Sequence, residues 1–148
     1  AVDNTQGDKL PDLVTGKLPA LQAYQYALDA PAAPAMSFDV AMARRGEALF
    51  NGAARCASCH TGALFTDATR GRLHAKSASA AKDLDYLERS ATKLWRTSPL
   101  RGIWQHAPYF HDGSAATLAD VVNAYDRKDK LGLSDAQKID LVEYLKSL

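Results

Sequence analysis

Apolar residues recur at intervals of three and four in several parts of the chain, which is the spacing of an amphipathic α-helix. These stripes predict a helix from about Asp39 to Asn51, a second from Thr117 to Tyr125, and a last helix that begins after Ser134. No segment alternates apolar and polar residues with the period of two of a half-buried strand. The pattern therefore predicts an all-α fold with long ordered loops.

Residues that cap helices stand at the starts of these stripes. They are Ser37 or Asp39 for the first helix, Thr117 with Asp120 for the second, and Ser134 with Gln137 for the last. The spacing also predicts the buried faces. They are Met42, Gly46, Leu49 and Ala53 in the first helix, with Phe50 beside them, and Ile139, Val142 and Leu145 in the last, with Leu141, Tyr144 and Leu148 adjacent.

Two regions of different composition indicate the domain organisation. Residues 1–35 contain four of the six prolines and predict an N-terminal arm with one short helix after Pro19. Residues 36–148 predict a single domain, with a loop from Ala75 to Lys82 and a short helix near Asp83–Arg89.

Composition and charge narrow the class of function. The chain has 148 residues and a net charge of +1, which is too balanced to suggest nucleic-acid binding. No apolar stretch approaches the ~20 residues needed to span a bilayer. Residues 44–101 nevertheless carry a net charge of +6, so the middle of the chain is basic.

The two cysteines lie in one short motif within that basic region. Cys56-Ala57-Ser58-Cys59-His60 has the C-x-x-C-H form of a c-type haem attachment site. Two thiols three positions apart can each bond one vinyl group of a porphyrin, and the adjacent His60 can then coordinate the iron. The motif predicts one covalently bound haem c, attached through Cys56 and Cys59.

Other uses of a cysteine pair fit this sequence less well. A redox-active C-x-x-C is typical of a βαβ setting, and no strand is predicted. A structural zinc site needs four ligands, and there is no second cysteine pair. Haem attachment takes place outside the cytoplasm in bacteria, so we expect a periplasmic protein whose signal peptide is absent from this chain.

The second axial ligand of the iron is a separate question. Both methionines, Met36 and Met42, precede the haem motif, which is the wrong side for the usual His/Met arrangement. The remaining candidates are His74, His106, His111, Tyr125, or an open or water-bound position.

The two ends of the domain resemble the class I cytochrome c fold. Gly46 and Phe50 lie one helical turn apart before the haem motif, and Tyr144 lies in the last helix. In that fold a glycine lets the first and last helices cross closely, and aromatic side chains fill the crossing. The resemblance implies the same crossing here.

Three further segments follow the haem motif in order. They are Arg96-Thr97-Ser98-Pro99-Leu100-Arg101-Gly102, Ala107-Pro108-Tyr109-Phe110-His111-Asp112-Gly113, and the run from Thr117-Leu118 to Tyr125-Asp126. Together they resemble the bacterial di-haem cytochrome c peroxidases and the related methylamine-utilisation haem enzymes. Those enzymes carry two C-x-x-C-H motifs and this chain carries one. The chain therefore resembles a single haem domain of that superfamily.

The resemblance implies two alternatives for the second iron ligand. His74 matches a distal histidine that follows the haem motif, and Tyr125 matches a methionine or tyrosine ligand after the His-Asp-Gly motif. Neutral imidazole binds iron at neutral pH, whereas a phenol with a pKa of about 10 must first lose its proton. Tyr125 also continues an apolar stripe. We therefore expect His60 and His74 to be the iron ligands.

Aromatic and basic residues near these motifs are candidates for haem contacts. Large aromatic side chains exclude water, and the guanidinium fork suits carboxylates such as the haem propionates. The candidates are Trp95, Trp104, Tyr109 and Phe110 for the haem walls, and Arg96 and Arg101 for the propionates. We expect His111 to shape the pocket by hydrogen bonding rather than to bind iron.

Two filled axial positions leave no place for a substrate, so the sequence favours electron transfer over catalysis. The basic segment predicts docking to an acidic redox partner by electrostatic attraction. The alternative is a peroxidase-like haem enzyme or a small-ligand sensor with an open or displaceable sixth position.

Overall fold

The computed structural model describes residues 12–75 and 90–148. Those residues form four α-helices: α1 (Leu18–Ala27), α2 (Val40–Asn51), α3 (Leu118–Asp129) and α4 (Asp135–Ser147). Short 3-10 turns lie at Thr15–Lys17, Cys56–Ser58, Ala68–Arg70 and Ile103–Gln105. In the described ranges there is no strand, only isolated β-bridges between His74 and Trp95 and between Tyr109 and Ala115. The predicted all-α class is confirmed.

The chain divides into two compact units, one ending at Pro31 and the other beginning at Ala32. In the first unit, α1 starts at Leu18 rather than after Pro19, and Pro19 stands in its first turn, where a proline costs no hydrogen bond. In the second unit are α2, α3 and α4. The loop expected from Ala75 to Lys82, apart from Ala75 itself, and the helix expected near Asp83–Arg89 lie outside the described residues.

Capping side chains begin all three helices of the second unit as expected. The Asp39 side chain accepts a hydrogen bond from the Met42 amide at 2.8 Å. Thr117 with Asp120, and Ser134 with Gln137, each form both hydrogen bonds of a capping box. The backbone hydrogen bonds of α3 continue for another turn past the predicted end at Tyr125, so that helix ends at Asp129.

In the second unit, α2 and α4 cross closely at Gly46. A Cβ atom at Gly46 would overlap the Asp140 carbonyl and lie 2.8 Å from the Cβ atom of Tyr144, so a larger residue cannot stand there without separating the helices. Phe50 and Tyr144 pack edge to face in the crossing, with ring centroids 5.2 Å apart. This is the arrangement that the class I cytochrome c resemblance implies.

The crossing point corrects the two predicted buried faces. In α2 the buried residues are Ala43, Gly46 and Phe50, whereas Met42 is half-buried and Ala53 is exposed. In α4 the buried residues are Asp140, Leu141, Tyr144 and Leu145, and Ile139 is 53% exposed. The predicted burial of Gly46, Phe50, Leu141, Tyr144 and Leu145 is confirmed. The prediction is wrong for Ala53 and Ile139, which are exposed, and it omitted Ala43 and Asp140, which lie at or beside the crossing.

One hydrophobic core links these helices to the loops between them. Its buried members are Phe50, Ala54, Tyr109, Ala115, Leu118, Val122, Leu133, Leu141, Tyr144 and Leu145. Cys56, Phe65 and Phe110 are partly buried against it. The core therefore extends from the helix crossing to the cysteine motif.

Candidate haem site

The cysteine motif lies on a tight turn directly after α2. Arg55 adopts a left-handed conformation, with φ of 55°, and redirects the chain into the 3-10 turn at Cys56–Ser58. The amides of Cys59 and His60 both donate to the Cys56 carbonyl, at 3.2 and 3.0 Å. A non-glycine residue in this conformation is uncommon and is often found at functional sites. The turn brings both thiols and the His60 ring to one short stretch of backbone.

The two thiols are free, and both are half-buried. Burial raises the pKa of the Cys56 thiol to about 11. This thiol therefore stays protonated at neutral pH in the chain without haem.

His60 is oriented by a hydrogen bond to the backbone. Its Nδ1 atom lies 2.9 Å from the Phe65 carbonyl oxygen, so Nδ1–H is the donor and Nε2 keeps its lone pair. Phe65 has a φ of 53°, again left-handed. Burial lowers the pKa of His60, although the Phe65 carbonyl opposes the shift. A neutral imidazole with a fixed tautomer is suited to bind iron through Nε2.

Aromatic rings join His60 to the helix crossing. The Phe50 ring lies 6.3 Å from the His60 ring and 6.1 Å from the Phe65 ring, measured between centroids. Because Phe50 also packs on Tyr144, the glycine crossing and the histidine belong to one packed unit.

The loop before α3 contributes a second aromatic group. Tyr109 and Ala115 pair through their backbones, and Gly113 turns the chain between them with φ of 68°. The Tyr109 side chain is buried, and its hydroxyl donates to the Ile103 carbonyl at 3.2 Å. Phe110 has a φ of 67° and packs on Tyr125, with centroids 6.1 Å apart. Tyr109 therefore holds the loop in the core, while Phe110 covers Tyr125.

Tyr125 lies on α3, where its ring packs against Phe110. Burial, with smaller contributions from Cys56, Asp129 and Cys59, raises the pKa of its phenol to about 12.

His74 also lies beside the motif, on the Cys59 side. Its Nε2 atom is 2.9 Å from Oδ2 of Asp67, and its Nδ1 atom is 4.0 Å from Sγ of Cys59. Two backbone hydrogen bonds with Trp95, at 2.8 and 2.7 Å, hold His74 in place. His74, one of the two alternatives from the sequence, therefore lies beside a cysteine of the haem motif.

The remaining predicted residues have different surroundings. Arg96 and His106 are exposed. Arg101 donates from Nε to the Ala63 carbonyl at 2.8 Å, in the loop that follows the haem motif. The His111 and Trp95 rings lie 4.4 Å apart. Trp104 is half-buried, and among the described residues its buried indole Nε1–H has no acceptor.

The donor groups fit a covalently attached haem. Two free thiols and a neutral imidazole stand on one turn, beside aromatic side chains and a buried indole N–H that lacks an acceptor in the described ranges. A haem supplies vinyl groups for the thiols, iron for the imidazole and carboxylates for N–H donors.

Two contributors to the site were missed at the sequence level. The Phe65 carbonyl orients His60, and the buried Asp67 carboxylate pairs with His74. A backbone acceptor has no sequence signal of its own. Asp67 does follow the motif within a run of small and polar residues, but only the folded loop shows that it is buried.

Comparisons with known proteins agree with this chemistry. A family model described as RoxA-like, cytochrome c-like matches residues 95–131. The methylamine utilization protein MauG of Methylorubrum extorquens is 32% identical over 72% of this chain and 34% of its own length. A cytochrome-c peroxidase of Denitromonas iodatirespirans is 28% identical over 73% of this chain and 40% of its own length. The chain thus spans between a third and two fifths of these curated relatives.

Solved structures support the same fold. The chain aligns with hydrazine synthase of Kuenenia stuttgartiensis with a TM-score of 0.63 and 26% identity, covering 89% of this chain and 55% of that one. A MauG-like protein associated with microbial copper homeostasis aligns with a TM-score of 0.56 and 24% identity, over 77% of this chain and 48% of that one. At that identity the second match supports the fold alone. The predicted resemblance to this haem protein superfamily is confirmed.

Proposed function

We propose that this chain, a cytochrome c-like haem domain related to haem enzymes and peroxidases, transfers electrons through one covalently bound haem c. The observation that carries the proposal is the turn at Cys56–His60. It presents two free thiols and an imidazole whose Nδ1–H is held by the Phe65 carbonyl. When bound, the haem supplies an iron that alternates between ferric and ferrous states.

Different residues of the chain would bind different parts of the haem. Cys56 and Cys59 would form the two thioether bonds, and His60 would bind the iron through Nε2. Phe65 fixes the His60 tautomer, and Phe50 shields the ring from water. A rigid and largely dry site lowers the reorganisation that accompanies a change of iron charge.

We propose His74 as the second iron ligand, as the sequence favours. Its ring lies beside Cys59 and is fixed at both backbone and side chain. Tyr125 is the alternative, and its ring is already packed against Phe110 on the face of α3. Two filled axial positions suit an electron carrier because no substrate can reach the iron.

Five further residues complete the proposed haem site. Trp104 and Arg101 are candidates for the propionates, since the indole N–H lacks an acceptor among the described residues and the guanidinium lies at the loop after the motif. Arg96 is an exposed second candidate. Phe110 and Tyr109 would form part of the wall, Phe110 through its contact with Tyr125 and Tyr109 by anchoring the loop.

We also propose a periplasmic location and an acidic protein partner. The location follows from the site of haem attachment in bacteria, and the partner from the +6 charge of residues 44–101. The structure contains no helix, in the ranges it describes, that is long and apolar enough to cross a bilayer.

Mass spectrometry and visible spectroscopy test the haem proposal directly. In a host that attaches haem c, the denatured protein should retain the mass of one haem. The C56A and C59A variants should each lose one thioether bond. An unmodified polypeptide mass for the wild type would overturn the proposal.

Substitution of the two candidate ligands tests the axial assignment. H74A should give a high-spin ferric spectrum that binds cyanide quickly, whereas Y125F should retain the wild-type spectrum. Y125F is the matched control because it removes only the hydroxyl from the α3 face. A high-spin Y125F protein together with an unchanged H74A spectrum would replace His74 by Tyr125.

The relatives favour one alternative function, a peroxidase-like enzyme, because two of them are named cytochrome-c peroxidase. Such an enzyme needs an open or displaceable sixth position. A low-spin, six-coordinate haem in both oxidation states would support the carrier. A high-spin ferric haem that reduces hydrogen peroxide with an electron donor would support the enzyme, and reversible binding of a small ligand without turnover would support a sensor.

A further inference from the structure

Asp67 is the most deeply buried carboxylate among the described residues, with 1% of its surface exposed. A buried charge is costly unless it is paired, so its surroundings require an explanation. Oδ2 lies 2.9 Å from Nε2 of His74, and Oδ1 has no hydrogen-bond partner in the described ranges. Burial works to raise the pKa of Asp67, whereas the neighbouring Thr97 and His74 side chains lower it, and the net direction is down. Because Oδ2 accepts from the Nε2–H of His74, the carboxylate is a fixed acceptor inside the fold.

Asp67 and His74 stand on a rigid frame made by two chain segments. The Thr66 hydroxyl donates to the Thr97 carbonyl at 2.6 Å, and both threonines are buried. Two backbone hydrogen bonds join His74 to Trp95. The frame leaves the His74 ring little freedom other than rotation, and the bond from Asp67 fixes that rotation.

The same bond determines which ring nitrogen faces the haem motif. With Nε2 donating to Asp67, the free lone pair is on Nδ1, and Nδ1 lies 4.0 Å from Sγ of Cys59. A carboxylate that accepts from one ring nitrogen makes the other more basic and fixes its direction. Sγ of Cys59 is an atom through which we propose that the haem is attached, so the carboxylate is linked through His74 to a residue that would hold the haem.

We infer that Asp67 is a positioning residue, which holds the His74 imidazole with Nδ1 toward Sγ of Cys59 and would lower the reduction potential of the bound haem through a buried negative charge. The inference rests on the proposed function. The physical reason is that a nearby negative charge stabilises ferric haem over ferrous haem, and burial leaves that charge poorly screened. No part of the inference requires a change in protonation.

Potentiometric titration of the haem-loaded D67N protein tests the inference. Asparagine keeps the size of the side chain and removes its charge, so the potential should rise above the wild-type value. D135N is the matched control, because it removes an exposed carboxylate at the start of α4, and its shift should be smaller. A D67N potential equal to that of the wild type would overturn the inference.

A double-mutant cycle tests whether Asp67 acts through His74. The direct effect of the charge should persist in the H74A background, whereas the part of the shift that depends on the His74 ring should be lost, so D67N should change the potential less there than in the wild type. Equal shifts in both backgrounds would overturn the positioning role. Absence of covalent haem from the wild type would instead overturn the proposed function, so the two failures are distinguishable.

The wild-type protein provides a test that does not depend on the folding of a variant. The His74 ring N–H should exchange slowly with solvent in the NMR spectrum of the ferrous protein, because Asp67 accepts it in a buried position. Fast exchange of that proton would contradict the bond on which the inference depends.

Discussion

Contacts with backbone carbonyl groups fix the local structure of this domain at Gly46 and at His60. A side chain at Gly46 would collide with the α4 backbone, and a different acceptor at Phe65 would change the His60 tautomer. Both are contacts between a side-chain position and a backbone carbonyl. Sequence can indicate the first, because only glycine fits, but it carries no sign of the second.

Replacement of Gly46 by alanine tests the crossing. The added methyl group must push α4 away, and overpacking of this kind costs about 1–3 kcal/mol. We expect G46A to lower the free energy of unfolding by at least about 1 kcal/mol, measured by urea denaturation followed by circular dichroism. G16A is the control, since nothing lies within 4 Å of a Cβ atom there. Equal effects of the two substitutions would contradict a close crossing at Gly46.

Replacement of Trp104 by phenylalanine tests the role of its indole N–H. In the haem-loaded protein we expect W104F to be less stable by about 1 kcal/mol, the net contribution of one hydrogen bond. The proposed acceptor is a haem propionate. If the N–H instead remains unpaired, W104F should be more stable than the wild type, because an unsatisfied buried donor is costly. Thermal denaturation of the two proteins shows whether W104F is less stable or more stable than the wild type.

At the scale of elements, caps were easier to predict than buried faces. Thr117, Asp120, Ser134 and Gln137 form the expected boxes because capping depends on residues three positions apart. The centres of the α2 and α4 faces were predicted, but their edges were not, because the close crossing at Gly46 buries Ala43 and Asp140 and leaves Ala53 and Ile139 exposed. The Asp67–His74 pair depends on a loop closing on itself, which no periodic pattern records.

The pairing of α3 with α4 has a pH dependence that can be measured. Asp126 accepts from Lys138 at 2.8 Å and from the Leu133 amide at 3.1 Å. The Lys138 bond, followed by the Leu133 bond, lowers the pKa of Asp126. The stabilisation is therefore present above the unfolded value of about 3.9 and is lost as the pH falls through the lower folded value.

We expect D126N to unfold at lower urea concentration than the wild type at pH 7. The difference should shrink as the pH falls below 3.9, because the wild-type carboxylate then becomes protonated. K138Q should behave in the same way, since it removes the other partner. If D126N is less stable than the wild type by the same amount at pH 7 and below about pH 3.9, the ion pair is not the source of the difference.

At the scale of the whole molecule, the charge is unevenly distributed along the chain. The net charge is only +1, yet residues 44–101 carry +6 and include the haem motif. The charge of Arg45 is paired with Asp140, with Nη2 of Arg45 2.7 Å from Oδ1 of Asp140. Four other arginines are exposed, namely Arg44, Arg70, Arg72 and Arg96. A positive field around a redox centre attracts negatively charged partners and weakens with salt.

Small redox probes of opposite charge test that field without knowledge of the natural partner. Oxidation of the reduced haem protein by hexacyanoferrate(III) should be fast at low salt and should slow as ionic strength rises. Oxidation by a tripositive cobalt complex should instead accelerate with salt, because screening removes repulsion. At 0.1 M salt the Debye length is about 10 Å, so most of the change should occur below that concentration. Stopped-flow rates with the same salt dependence for both probes would mean that the basic segment does not surround the site of electron transfer.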